Sequence, residues 1–284
     1  MKEAGCWRMA ETMAQQGRLR WMAGYLLHDP ACAYVIAGNS DEMALPEDEE
    51  ELKLFVRALV NVREPLEPSA EFLSVQDAYL AERLRGLHVT QLDEISFDDE
   101  GLAVWQGNIT TLAADAIVNA ANSQMLGCFV PNHRCIDNAI QTYAGVELRL
   151  ACAELMERQG HEEGVGRAKI TPGFNLPARY VLHTVGPMLP TGIPTARDRW
   201  SLRSCYTSCL ELALEQGLGS VAFCCISTGE FRYPHKEAAE IAVDAVRKFK
   251  SDHAEAAQMK VIFNVFKDED RDIYERLLAG KKSR

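Results

Sequence analysis

The spacing of apolar positions changes character once along this chain. Up to about residue 90 apolar residues recur at helical intervals. "CWRMAETMAQQGRLRWMAGYLLHD", "ALPEDEEELKLFVRALVNV" and "PSAEFLSVQDAYLAERLRGL" each predict a helix. Pro46 and a block of acids precede the second apolar stripe, and Ser69 is placed as the N-cap of the third helix. No strand is expected in this region. The acidic run 93–100 predicts a linker or a turn between strands.

Beyond it, short β-branched runs alternate with amphipathic segments. Strands are expected at 103–105, 116–120, 169–171, 180–185, 220–226 and 260–265, and helices at 138–158, 197–216, 236–249 and 269–278. Several of the strand runs lack polar alternation, as strands covered on both faces do. The pattern is α/β, with a mostly parallel or mixed central sheet behind a small helical N-terminal region. In such sheets ligands bind beyond the carboxyl ends of the strands. Attention therefore falls on the segments after Trp105, Ala120 and Ile226.

Composition narrows the possible partners. The chain has 284 residues, 47% of them hydrophobic, enough for a sizeable core, and a formal charge of -11. That charge argues against a nucleic-acid partner, which needs a basic face. It leaves room for a small phosphorylated ligand held by backbone amides. No apolar run has the length of a membrane span, and the start "MKEAGCWRMAETMAQ" lacks a secretory apolar core. A cytoplasmic protein with reduced thiols is expected. Its nine cysteines are an odd number spread along the chain.

Three segments carry candidate chemistry. In "QGNITTL", Gly107 permits close backbone approach and Asn108 offers an amide, although a plain strand-ending turn explains both. In "CCISTGEFRYPH" small residues between a strand and a helix suit an anion cradle, although a tight strand-to-helix turn is the commoner explanation. The third segment is "NAANSQMLGCFVPNHRCIDNAI", in which Cys128, His133 and Cys135 lie five and two positions apart. Two thiols and an imidazole are ordinary zinc ligands, and Pro131 restricts the loop between them. Three ligands leave an open, catalytic position, whereas a distant fourth would make the site structural. Three unrelated loop residues also account for the pattern.

Five further cysteines are expected to behave as small hydrophobes: Cys224 and Cys225 on opposite faces of a strand, and Cys152, Cys205 and Cys209 on helices. His183 is expected to be a satisfied core histidine, and Trp105 and Trp200 to be packing residues.

Taken in order, "GNIT", "VNAANS", "VLHTVGP" and "CISTGEF" resemble the macrodomain family, over about residues 104–278. The loop "GCFVPNHRCIDNAI" resembles its zinc-dependent class, which also carries a helical N-terminal region. The resemblance implies a three-layer α/β/α macrodomain with a mixed central sheet over residues 91–284, preceded by helices over 1–90. It implies Zn2+ on Cys128, His133 and Cys135, and hydrolysis of ADP-ribose from modified protein side chains. A non-catalytic ADP-ribose reader with a structural zinc is the alternative. The expected partners are an ADP-ribosylated protein and ADP-ribose, with no nucleic acid and no membrane.

Carried residue by residue, the resemblance assigns Asn122 to the distal ribose and Asp137 to positioning or activating water. It places Asn108, Ile109 and Asn119 among the substrate contacts. Ser227, Thr228 and Gly229 fall around the diphosphate, Phe231 near the distal ribose and Phe266 against adenine, with Glu230 also among the substrate contacts. Three departures stand out. Asn108 replaces the usual Asp, which weakens its hold on the adenine amine. Gln141 replaces a frequent His. Glu230 and Arg232 flank Phe231 where many macrodomains have Val and Gly.

Overall fold

The computed structural model describes residues 10, 12–33 and 44–280. The part of the first expected helix before Ala10 lies outside them. Helix α1 (Gln15–Leu27), α2 (Glu49–Val62) and α3 (Ala70–Arg85) form the N-terminal bundle. Asp48 caps α2 by accepting from Glu50 N and Glu51 N, and Ser69 caps α3 by accepting from Phe72 N. Leu19, Leu26, Leu52, Val56 and Phe72 are buried between the three helices, and Val146 from the α/β region joins them.

Two short strands tie the regions together: β1 (Thr90–Gln91) pairs in parallel with β3 (Leu112–Ala113). The acidic run between β1 and the sheet is a turn, in which Asp98 Oδ1 accepts from Glu100 N and Leu102 N.

The main sheet has six strands. In chain order they are β2 (Leu102–Gln106), β4 (Ala116–Ala121), β5 (Ala168–Pro172), β6 (Tyr180–Val185), β7 (Ser220–Phe223) and β8 (Lys260–Val265). Their spatial order is β2-β8-β7-β4-β6-β5. All pairings are parallel except β5 with β6, so the sheet is mixed with one antiparallel edge. The flanking helices are α4 (Ile136–Ala144), α5 (Val146–Gln159), α6 (Ala196–Glu215), α7 (His235–Asp252) and α8 (Asp268–Ala279). Burial on both sides of β4, β6 and β8 explains why their apolar runs do not alternate.

Three expectations need correction. The helix expected at 138–158 is two helices, broken at Gly145, whose φ is +99°. That conformation is one L side chains rarely adopt, and a Cβ there would lie 2.7 Å from Gln76 Nε2. Gln76 then accepts from Val146 N at 2.9 Å and caps the second helix.

The strand expected at 220–226 ends at Phe223. Cys224 and Cys225 have already left the ladder, so they do not face opposite sides of the sheet, and both line the cavity described below. Trp200 is 66% exposed on α6 and packs in no core.

Candidate active site

The carboxyl ends of β4, β7 and β8 enclose a cavity of about 540 Å3. The loop after β4 forms one end of it. There the ligand atoms of Cys128, His133 and Cys135 lie within 4.8 Å of one another. Cys128 Sγ is 3.3 Å from His133 Nδ1. Cys135 is also the N-cap of α4, its sulfur accepting from Asn138 N at 3.4 Å. Burial pushes the Cys135 thiol up to about 12, so this sulfur carries charge only opposite a cation. The far side of the imidazole faces Glu230, with His133 Nε2 3.6 Å from Glu230 Oε1.

Backbone geometry and borrowed side chains shape this loop. Gly127 and Asn132 adopt positive φ. Asn122 Nδ2 donates to Gly127 O at 3.0 Å and its Oδ1 accepts from Gln124 N at 3.0 Å, so its amide folds the loop as it lines the cavity. From α2, Arg57 Nη2 donates to His133 O at 3.2 Å and to Asn138 Oδ1 at 2.8 Å. One turn further on, Asn61 Oδ1 accepts from Asn132 N at 2.9 Å. Arg149, on α5, donates to Leu126 O at 2.7 Å, to Val60 O and Asn61 O, and to Arg63 O. It thereby satisfies the terminal carbonyls of α2 and links that helix to the loop.

Asp137 lies in the first turn of α4, on the cavity wall and 5% exposed. Burial raises its carboxyl to about 6, against the opposing effects of the Asn119 hydrogen bond and the Arg149 charge. Asn119 Nδ2 donates to Asp137 Oδ1 at 2.8 Å and lies 3.2 Å from His183 Nδ1. His183 Nε2 is 2.9 Å from Thr171 Oγ1. These contacts fit a neutral ring that donates from Nε2 to Thr171 and accepts at Nδ1. Burial alone lowers its pKa to about 4. His183 is thus the satisfied core histidine expected, and it supports Asn119 from behind.

The loop after β7 forms the cavity floor. Ser227 has a φ of +66°, and Tyr233 N closes the loop onto Ser227 O at 3.0 Å. A Cβ on Gly186 would stand 2.1 Å from Ser227 Oγ, which accounts for the glycine of "HTVGP". Ser227 Oγ is buried without a hydrogen-bond partner. Thr228, Gly229, Glu230 and Phe231 follow along the floor, and Phe266, 80% exposed just past β8, closes the other end.

Three expected contacts lie outside the lining. Asn119 is completely buried behind Asp137 and Ile109 is 1% exposed. Asn108 turns its Oδ1 to Thr110 N and Thr110 Oγ1, capping a short turn. Gln141 also stays clear of the lining. Its amide is buried without a partner, below Gly127. The structure also adds residues that the sequence did not single out: Arg57, Asn61 and Arg149 around the loop, and Asn264, His235 and Asp270 on the cavity wall. The only sequence signal for Asp270 was an acid in a helix's first turn, which a macrodipole already explains.

A mixed α/β sheet with a ligand-sized cavity across its carboxyl edge, floored by a small-residue loop, is the architecture of a nucleotide-binding module. The Macro domain family model matches residues 118–242. A protein-ADP-ribose hydrolase of Treponema medium is 49% identical over 271 residues, covering 94% of this chain and 100% of the relative. Another, from Staphylococcus aureus strain MRSA252, is 49% identical over 237 residues, covering 83% of this chain and 88% of that one. The solved structure of a Trypanosoma brucei macrodomain in complex with ADP-ribose superposes with a TM-score of 0.61 at 31% identity, covering 78% of this chain and 94% of that one. This chain belongs to the macrodomain family.

Proposed function

We propose that this macrodomain is a protein-ADP-ribose hydrolase that removes ADP-ribose from modified protein side chains, and that zinc on Cys128, His133 and Cys135 serves the reaction. The cavity has the volume of a nucleotide-sized ligand. The observation that carries the reading is the meeting, on one wall, of a three-ligand cluster and a buried carboxyl, Asp137. The donor set fits zinc: two thiols and an imidazole of suitable softness, close enough to share one ion. Held there, zinc supplies a Lewis acid, tempered by two thiolates, and a fixed point for orienting the substrate.

The protein's own groups do the rest. Ser227, Thr228, Gly229 and Glu230 follow the diphosphate, with the backbone N–H groups of the loop as donors. Phe231 packs against the distal ribose and Phe266 offers its face to adenine. Asn122 holds the metal loop at the distal ribose. Asp137, with Oδ1 held by Asn119, keeps Oδ2 to orient a water and take its proton. Asn119 acts through Asp137 and not on the ligand. Asn108 and Ile109 shape the turn beside the base without lining its cavity.

The test measures metal content and hydrolysis of ADP-ribosylated protein on the same samples. Cys128→Ala, or a strong chelator, is expected to abolish hydrolysis while ADP-ribose binding persists. Full hydrolysis by metal-free protein overturns the zinc reading and leaves the hydrolase reading intact.

A further inference from the structure

One hydrogen-bonded pair on the cavity wall has no part in the scheme above. His235 opens α7, which follows the loop after β7, and Asp270 stands in the first turn of α8, which follows β8. His235 Nδ1 and Asp270 Oδ1 are 2.5 Å apart. Asp270 is 5% exposed, His235 is half-buried, and both line the cavity.

Topology sets where the pair lies along the ligand. The neighbouring strands β4, β7 and β8 present, in that order, the metal loop, the small-residue floor and Phe266. A tie between the starts of α7 and α8 therefore falls between the floor and Phe266. In the ligand proposed above, the group between diphosphate and base is the proximal ribose, whose free substituents are hydroxyls. Each residue commits one polar atom to the other, which leaves Asp270 Oδ2 and His235 Nε2. In the tautomer that donates Nδ1–H to the carboxylate, Nε2 is an acceptor. Two acceptors on one stretch of wall suit two vicinal hydroxyl donors, and a carboxylate repels an anionic substituent at that position.

We propose that the His235–Asp270 pair clamps the proximal ribose through its hydroxyls and excludes ligands phosphorylated on that sugar. This assignment rests on the ADP-ribose reading. Lys267, beside the pair, is exposed and is followed by the exposed acids Asp268 and Glu269, so the start of α8 stays anionic. A pair that merely tied α7 to α8 would affect stability without affecting the choice between ligands.

Calorimetric titration of the full chain with ADP-ribose and with 2′-phospho-ADP-ribose separates the two roles, with a thermal melt for each variant. Wild type is expected to favour the unphosphorylated ligand at least about tenfold. Asp270→Asn keeps the shape and removes the charge. It is expected to weaken ADP-ribose binding about tenfold and to collapse the preference. His235→Ala, at a partly exposed position, shifts affinity in the same direction and decides the matter if Asp270→Asn does not fold. Equal binding of both ligands by wild type, or an Asp270→Asn protein that melts lower but keeps the preference, overturns the clamp. Wild type that binds no ADP-ribose overturns the functional reading itself, and the clamp with it.

Discussion

Arg57, on a helix of the N-terminal bundle, donates to the backbone carbonyl of His133, a residue of the proposed zinc cluster 76 positions away. The same guanidinium nitrogen reaches Asn138 Oδ1, so one side chain braces the loop and the start of α4 together. The N-terminal helices are therefore part of the wall that shapes the cluster. Arg57→Ala is expected to lower zinc affinity about tenfold, as loss of an outer hydrogen-bond partner does. Arg57→Lys is expected to rescue little, because an ammonium does not span both acceptors in the same geometry. Competition with a chromophoric chelator measures both; unchanged affinity in Arg57→Ala rules the brace out.

Glu230 faces His133 Nε2 while Nδ1 faces Cys128. A carboxylate on the far nitrogen of a ligand histidine fixes its tautomer and raises its basicity. Glu230→Gln is expected to loosen the metal by roughly tenfold, with little change in melting temperature of the metal-free protein. Chelator competition and a metal-free melt, run in parallel, check the two halves of this expectation.

Asp137→Asn keeps an acceptor for Asn119 but removes the carboxylate proposed as the base. Hydrolysis is expected to fall by roughly 10²–10⁴-fold, with ADP-ribose binding retained. Asn119→Ala, which frees the carboxyl without removing it, is expected to have a smaller effect on kcat. Single-turnover assays beside calorimetry distinguish these outcomes. Equal losses in both variants would make Asn119 more than a support.

His183 gives acid sensitivity a definite direction. Its pKa is lowered from 6.5 to about 4 by burial. Between those values the unfolded chain binds a proton that the folded chain refuses, so folding stability rises with pH across that window. The contribution is complete above about 6.5 and is lost as pH falls toward about 4, on the order of 3 kcal/mol in all. Urea unfolding of wild type and His183→Gln at pH 7, 6, 5 and 4 measures it. The variant is expected to show a shallower loss.

Arg149 donates to four backbone carbonyls from a position only 5% exposed. Arg149→Met leaves those acceptors without their partner and is expected to cost about 3 kcal/mol or more in stability. Thermal and urea melts report it. A loss below 1 kcal/mol would mean that water replaces the guanidinium.

The alternation of strands and helices, the bundle before it and the three short motifs were all legible, because each depends on neighbours within a few residues. The helix break at Gly145 was not, since the second helix is capped by Gln76, which arrives from α3. The early end of β7 also escaped notice. Cys224, Cys225 and Ile226 have the composition of a strand but leave the ladder, the two cysteines to line the cavity and Ile226 to pack in the core. Asn108, Ile109 and Asn119 carried the right motifs, yet their side chains point into turns and core. A motif locates a residue on the chain and leaves its rotamer to the packing around it.

By itself the sequence determined the α/β class, the place of the cavity at the strand ends and the grouping of Cys128, His133 and Cys135 within one loop. The tertiary structure alone decided that Arg57, Asn61 and Arg149 hold that loop and that Asn119 serves Asp137. It alone set His235 against Asp270. These contacts join residues from 18 to 89 positions apart. Such pairings form only when whole helices dock on the sheet, because the burial that fixes them belongs to the assembled core and not to any segment of it.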